Sequence, residues 1–113
     1  MGALEGSYFS NHYAADNPDP GQRRFVTVYR EAYGTEPDTL AALGYDAARL
    51  AVDAMQRAPE LSGPALREAL VGTTVLPSVT GPLSFDEKRN AVKPAVIMRF
   101  QGDGFRYVTT VTP

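Results

Sequence analysis

The residues best suited to chemistry are few and scattered. His12, the only histidine, stands next to Tyr13 in the run SNHY, where an imidazole could carry a proton and a phenol could stack on a small ligand. Nucleophilic catalysis needs a nucleophile, a base and a group to orient the base. With one histidine and no cysteine, no such set can be assembled. Neither a phosphate-cradling GxxxxGK nor a GxGxxG occurs. Asp16, Asn17 and Asp19 are spaced somewhat like a calcium loop, but Pro18 and Pro20 interrupt them and the closing glutamate of an EF-hand is missing. A turn ending in a helix cap is the expectation there, and Asp86, Glu87 and Lys88 read as a solvated turn. Tyr45 and Asp46 fall inside a helical pattern, where Tyr45 and Leu40 suit a core and Asp46 suits solvent. His12 reads as an exposed loop residue, and Tyr13 as either a ligand contact or a partly buried lid. Together these point away from an enzyme, and no metal or cofactor is expected.

Whatever these residues do must be supported by a small frame. The chain has 113 residues, 43% hydrophobic and 21% charged, the profile of one globular unit or part of one. A chain of this size buries at most about two thirds of its unfolded surface, enough for one modest core. Eleven basic and thirteen acidic residues give a net charge of −2, with neither sign gathered into a run. The basic footprint of a nucleic-acid binder is therefore missing. No stretch approaches the roughly 18 apolar residues that span a bilayer. The opening MGALEGSYFS has neither the basic nor the apolar part of a signal peptide, so the chain as written is expected to stay where it is made.

Helix signals are explicit. Asp19, Pro20 and Gln22 stand where an N-cap, the first helical residue and a capping-box partner belong, and Gly34 where a helix stops. A helix over 20–33 follows, with Phe25, Tyr29, Ala32 and Tyr33 on one stripe. Asp38 restarts the pattern, and Leu40, Leu43, Ala47, Leu50, Ala51, Ala54 and Met55 keep helical spacing to Pro59, giving a second helix over 39–57. Ser62 caps a third, over 63–71, with Leu61 and Leu66 as a hydrophobic staple. Strands flank this helical middle. EGSYFS, residues 5–10, reads as a short strand, LSF at 83–85 as another, and AVIMRF and FRYVTTV as the arms of a hairpin around Gly102, Asp103 and Gly104. Alternation in the first arm predicts that Val96, Met98 and Phe100 face a core.

This order, with these residues, resembles the last third of type I periplasmic binding proteins of the branched-chain amino-acid receptor family. The pieces that carry the resemblance are EGSYFS, FVTVYREAYGTEPDTLAALGYDAARLAVDAM, LREALVGT and VTGPLSFDEKRNAVKPAVIMRFQGDGFRYV, nearly the whole chain. The pattern departs at Arg89 and Asn90, where the family has a glycine before an asparagine or aspartate, and this implies a different turn geometry. The fold implied is α/β, a partial type I periplasmic-binding-protein fold: three helices, a short N-terminal strand and a C-terminal β-hairpin. Residues 1–35 and 92–113 would belong to the second lobe and 36–91 to the first.

The resemblance implies ligand capture between two lobes, with Thr39 and Leu40 facing the cleft and Tyr45 and Tyr13 as aromatic contacts. Its implied role is the extracytoplasmic solute-binding component of an ABC importer for amino acids or similar small polar ligands, with an ABC permease as partner. A sensory domain of the same fold and a ligand-free assembly module are the alternatives. The glycine-rich and serine-rich loops that hold an amino acid's charged groups in this family have no counterpart here. The two later helices would cover a sheet that lies upstream. Leaving Leu40, Leu43, Leu50, Met55, Leu66 and Leu70 wet would cost about 1.5–3 kcal/mol each, so a homo-oligomer is expected to complete the fold.

Overall fold

The computed structural model describes residues 2–74 and 77–113. After a short 3-10 turn at Gly2–Leu4, the elements are β1 (Tyr8–Asn11), α1 (Pro20–Tyr33), α2 (Thr39–Arg57), α3 (Gly63–Val71), β2 (Ser84–Phe85), β3 (Ala91–Val92), β4 (Ala95–Gln101) and β5 (Gly104–Val111). All three helices span the residues that the caps and periodicity predict.

The caps explain why. The Asp19 carboxylate accepts the Gln22 N–H at 3.0 Å, that of Asp38 accepts the Ala41 N–H at 2.7 Å, and the Ser62 hydroxyl oxygen accepts the Ala65 N–H at 3.4 Å. Each satisfies an amide that the first helical turn leaves without a partner. Gly34 ends α1 in the left-handed region. Gln22 corrects the capping-box expectation: its side chain is buried and its Nε2 donates to the Val79 carbonyl at 2.7 Å, while the Asp19 N–H is taken by Asn17 Oδ1 at 3.0 Å. The stripe on α1 is corrected too. Phe25 and Val26 are buried with Gln22, whereas Ala32 and Tyr33 are exposed, because α1 outruns the surface it packs on. Leu61, expected to staple onto Leu66, is exposed as well.

The strands form one antiparallel sheet in the order β1-β4-β5 and a separate two-stranded ribbon of β2 and β3. Tyr8 pairs with Arg99 and Asn11 with Val96, and β4 and β5 pair with a register shift between Ile97 and Met98. Val96, Met98 and Phe100 are buried as their alternation predicts. β1 starts three residues later than expected. Gly6 bends the chain before it, although the Gly6 N–H already donates to the Phe100 carbonyl at 3.0 Å. β3 lies in a stretch where no strand was expected. Arg89, in the turn between β2 and β3, has φ 66°. An arginine here takes the left-handed conformation that suits glycine, so the turn does not require a glycine.

Two small cores result. One gathers Tyr13, Phe25, Val26, Ala42 and Val79; the other gathers Ala14, Val96 and Met98 against the sheet. The molecule is long and open, 55 × 33 × 21 Å with a radius of gyration of 16.4 Å, against about 13 Å for a closed domain of this length. Its accessible surface is 7559 Å², against about 6,100 Å² for a folded monomer of this size. α3 has no buried residue, and Leu40, Val52 and Met55 of α2 are exposed. A helix apolar on two sides is built to be covered on both.

Candidate functional site

β1 delivers the first site residue. At its end the Asn11 amide donates to Thr39 Oγ1 at 3.2 Å, tying the strand to the first residue of α2, while its Oδ1 accepts the His12 N–H at 2.8 Å. Tyr13 follows, 3% exposed, its ring edge-on to Phe25 with centroids 6.4 Å apart. Burial first, then the carboxylates of Glu36 and Asp38, push the phenol up to about 12. The Tyr13 hydroxyl is buried and has no hydrogen-bond partner among the described residues, an arrangement that costs free energy unless a donor or acceptor arrives.

Tyr13, Asn11 and Thr39 line a cleft of about 450 Å³ whose other walls include Phe9, Met98 and Phe105. Of the four residues singled out from sequence, this cleft brings together Tyr13 and Thr39. Leu40, beside Thr39, is 76% exposed and lines no part of it. Tyr45 is elsewhere too. At 45% exposure it packs on Phe25 at 4.9 Å, carries the Arg49 guanidinium 5.9 Å from its ring centroid, and borders a shallow hollow with Arg49 and Val52. The reading of Tyr45 and Leu40 as core residues is thereby corrected. His12 is exposed.

The larger correction is Asp46. Read as solvated, it is 3% exposed. Its carboxylate accepts the Val79 N–H at 2.7 Å, the Thr80 N–H at 2.9 Å and the Thr80 hydroxyl at 2.6 Å. Thr80 Oγ1 in turn accepts a hydrogen bond from Lys93 Nζ. Desolvation holds that ammonium below the usual lysine range, with Asp46 acting in the opposite direction. A sequence signal existed: Asp46 lies four residues from Ala42 and eight from Ala54, both buried, on the inward row of α2. Gln22, Thr80 and Arg49 border a second cleft of about 890 Å³ with Pro82, Pro94 and Tyr107. Gln22 Oε1 is buried there without a partner among the described residues. Among the described residues, no three His, Asp or Glu side chains are placed to hold a metal, and no helix is long and apolar enough to cross a membrane.

An open three-stranded sheet, helices with uncovered apolar faces and clefts where the two meet make up a partial α/β fold. The family profile described as periplasmic binding protein matches residues 1–104, and the chain belongs to this family. A leucine-binding protein, LivK, from Thermotoga maritima is similar at 32% identity and a TM-score of 0.83, over 98% of this chain and 32% of that one. A putative branched-chain amino acid ABC transporter protein from Rhodospirillum rubrum is similar at 34% identity and a TM-score of 0.82, over 94% and 31%. A solute-binding protein of an ABC transporter from Rhodopseudomonas palustris, solved with 3,4-dihydroxybenzoic acid, is similar at 27% identity and a TM-score of 0.80, over 97% and 31%. Among curated proteins nothing matches. The chain thus spans about a third of the length of these structures, as the resemblance in its sequence implied.

Proposed function

We propose that this chain is the C-terminal part of the extracytoplasmic solute-binding component of an ABC importer, serving an amino acid or a similar small polar ligand and handing it to a permease. The observation that carries the reading is end-to-end similarity, at 32% and 34% identity, to a leucine-binding protein and a branched-chain amino-acid transporter protein. Residues 1–35 and 92–113 form one lobe's share and 36–91 the other's. This division is supported by the sheet, whose strands β1, β4 and β5 all come from the first set, and by α2 and α3, which come from the second. Ligand contacts on both lobes would favour the closed state over the open one. Tyr13 and Thr39 contribute from the cleft, the Tyr13 hydroxyl, unpartnered among the described residues, offering a hydrogen bond to the ligand, while Leu40 and Tyr45 supply apolar surface at the start of α2.

The test is calorimetric titration of the parent protein with leucine, isoleucine and 3,4-dihydroxybenzoate. Saturable binding of one of them supports the reading, and no heat from any compound of an amino-acid and aromatic-acid panel overturns it. The isolated chain gives a second readout, because a ligand at about 100 times its Kd adds about 2.7 kcal/mol of stability.

A ligand-free assembly role has its own support. The surface of 7559 Å² exceeds that of a closed monomer by about 1,500 Å², more than the roughly 800 Å² each partner gives a standard interface. On its own, therefore, the chain pairs with a second copy through the outer face of α2 formed by Leu40, Val52 and Met55. Sedimentation showing a monomer at all concentrations would remove this reading.

A further inference from the structure

The turn Ser78–Gly81 is held from three directions. α1 reaches it through Gln22 Nε2, which donates to the Val79 carbonyl at 2.7 Å. α2 reaches it through Asp46, which accepts both the Val79 and Thr80 amides. The segment leading into β4 reaches it through Lys93, whose ammonium donates to Thr80 Oγ1. Pro94 packs so closely that a Cβ on Gly81 would lie 2.8 Å from its Cγ.

Under the lobe division proposed above, on which this inference rests, these bonds differ in kind. Asp46, Val79 and Thr80 lie in one half, Gln22, Lys93 and Pro94 in the other. Two hydrogen bonds and one close packing contact therefore cross between the halves at a single turn, and the buried Asp46 carboxylate holds that turn rigid from its own side. The Thr80 hydroxyl is the junction. Its one proton goes to Asp46 at 2.6 Å, which leaves its lone pairs for Lys93. Among the described residues Asp46 and Lys93 make no direct ion pair; the hydroxyl joins them.

We propose that the Ser78–Gly81 turn is a latch that sets the angle between the two halves, with Thr80 as its junction and Asp46 as its positioning residue. Swinging the sheet half away from α2 must break the Gln22 and Lys93 bonds, while those of Asp46 stay intact. These polar contacts act beside the Asn11–Thr39 bond and the core of Tyr13, Phe25 and Val26 against Ala42 and Val79, which cross the same boundary.

The chain has no cysteine, so Glu68→Cys on α3 and Thr109→Cys on β5, both exposed, place a unique spin-label pair across the boundary. Electron-spin distance measurements are made in an excess of unlabelled chain, so that only pairs within one molecule are read. In the otherwise native chain one narrow distance is expected. Thr80→Val and Lys93→Met should each add a second, longer component without loss of helical circular dichroism, and Thr80→Ser, which keeps the hydroxyl, should restore the narrow distribution. Inserting two glycines after Glu36, in the other crossing segment, is the control. A broadened distance in that insertion with none in folded Thr80→Val or Lys93→Met overturns the latch alone. An unchanged distance in every variant, insertion included, overturns the lobe division and the latch with it.

Discussion

The carboxylate of Asp46 meets Thr80 twice, accepting its backbone amide at 2.9 Å and its hydroxyl at 2.6 Å across 34 residues of chain. A third bond, from the Val79 amide at 2.7 Å, leaves a buried charge almost fully satisfied. Such a group is costly to replace, because its removal strands two buried amides and a hydroxyl. Asp46→Ala should lose about 3 kcal/mol in urea unfolding, with an unchanged denaturant slope. A loss within the scatter of surface substitutions, under about 0.5 kcal/mol, would show that these bonds are replaced by water.

Tyr13 makes the opposite prediction. Its hydroxyl is buried without a partner among the described residues, so Tyr13→Phe should keep or raise stability at neutral pH, by up to about 1 kcal/mol. Under alkaline conditions the phenol also sets a pH dependence. Its pKa rises from 10.0 in the unfolded chain to about 12 in the folded one, so between these values the native state binds more protons than the unfolded state. Stability is fully present below pH 10 and falls as pH rises through that window, by on the order of 2 kcal/mol. Thermal melts of Tyr13→Phe across the same range should show a flatter profile than the parent sequence.

Lys93 titrates with the reverse sign. Desolvation holds its folded pKa below 10.5, so in the window beneath 10.5 the unfolded chain binds the extra proton and stability rises with pH there. Lys93→Met should remove that rise while leaving the Tyr13-dependent fall above it, which separates the two groups in one set of melts.

Arg89 carries a backbone cost that glycine would not. Its φ of 66° is tolerated because the Asp86 carboxylate gathers the Lys88 and Asn90 amides at 2.8 Å and the Asn90 side chain at 3.0 Å. Those bonds to Asn90 and Lys88 lower the pKa of Asp86. Arg89→Gly should raise stability by about 1 kcal/mol, a gain of several degrees in Tm. An unchanged or lower Tm would mean that the turn draws support from the arginine side chain.

The exposed side of α2 is open to direct challenge. Val52→Lys with Met55→Glu adds charge where Val52 and Met55 stand in solvent, leaving Ala42, Asp46 and Ala54 on the inward row untouched. If a second copy covers this face, the double variant should sediment as a monomer at concentrations where the original chain pairs, with its helical signal retained. Pairing that survives both charges would place the interface elsewhere.

The sequence by itself determined the helices, because their ends are decided by local chemistry. Asp19, Asp38 and Ser62 each cap an amide three residues away, and Gly34 relaxes the chain where a side chain would not. The same local logic set the buried face of β4 through its alternation, and the order of pieces was enough to show the resemblance to a binding-protein fold. Tertiary structure decided the rest. Whether Asp46 met solvent or amides depended on a turn 33 residues away, and whether Gln22 closed a cap or crossed to Val79 depended on which surface α1 rested against. Tyr13 and Thr39 share a cleft because Asn11 ties β1 to α2, whereas Tyr45, on the same helix as Thr39, turns toward Phe25. Periodicity assigns a residue to a face; only the packed neighbours decide whether that face meets water, an amide or a cavity.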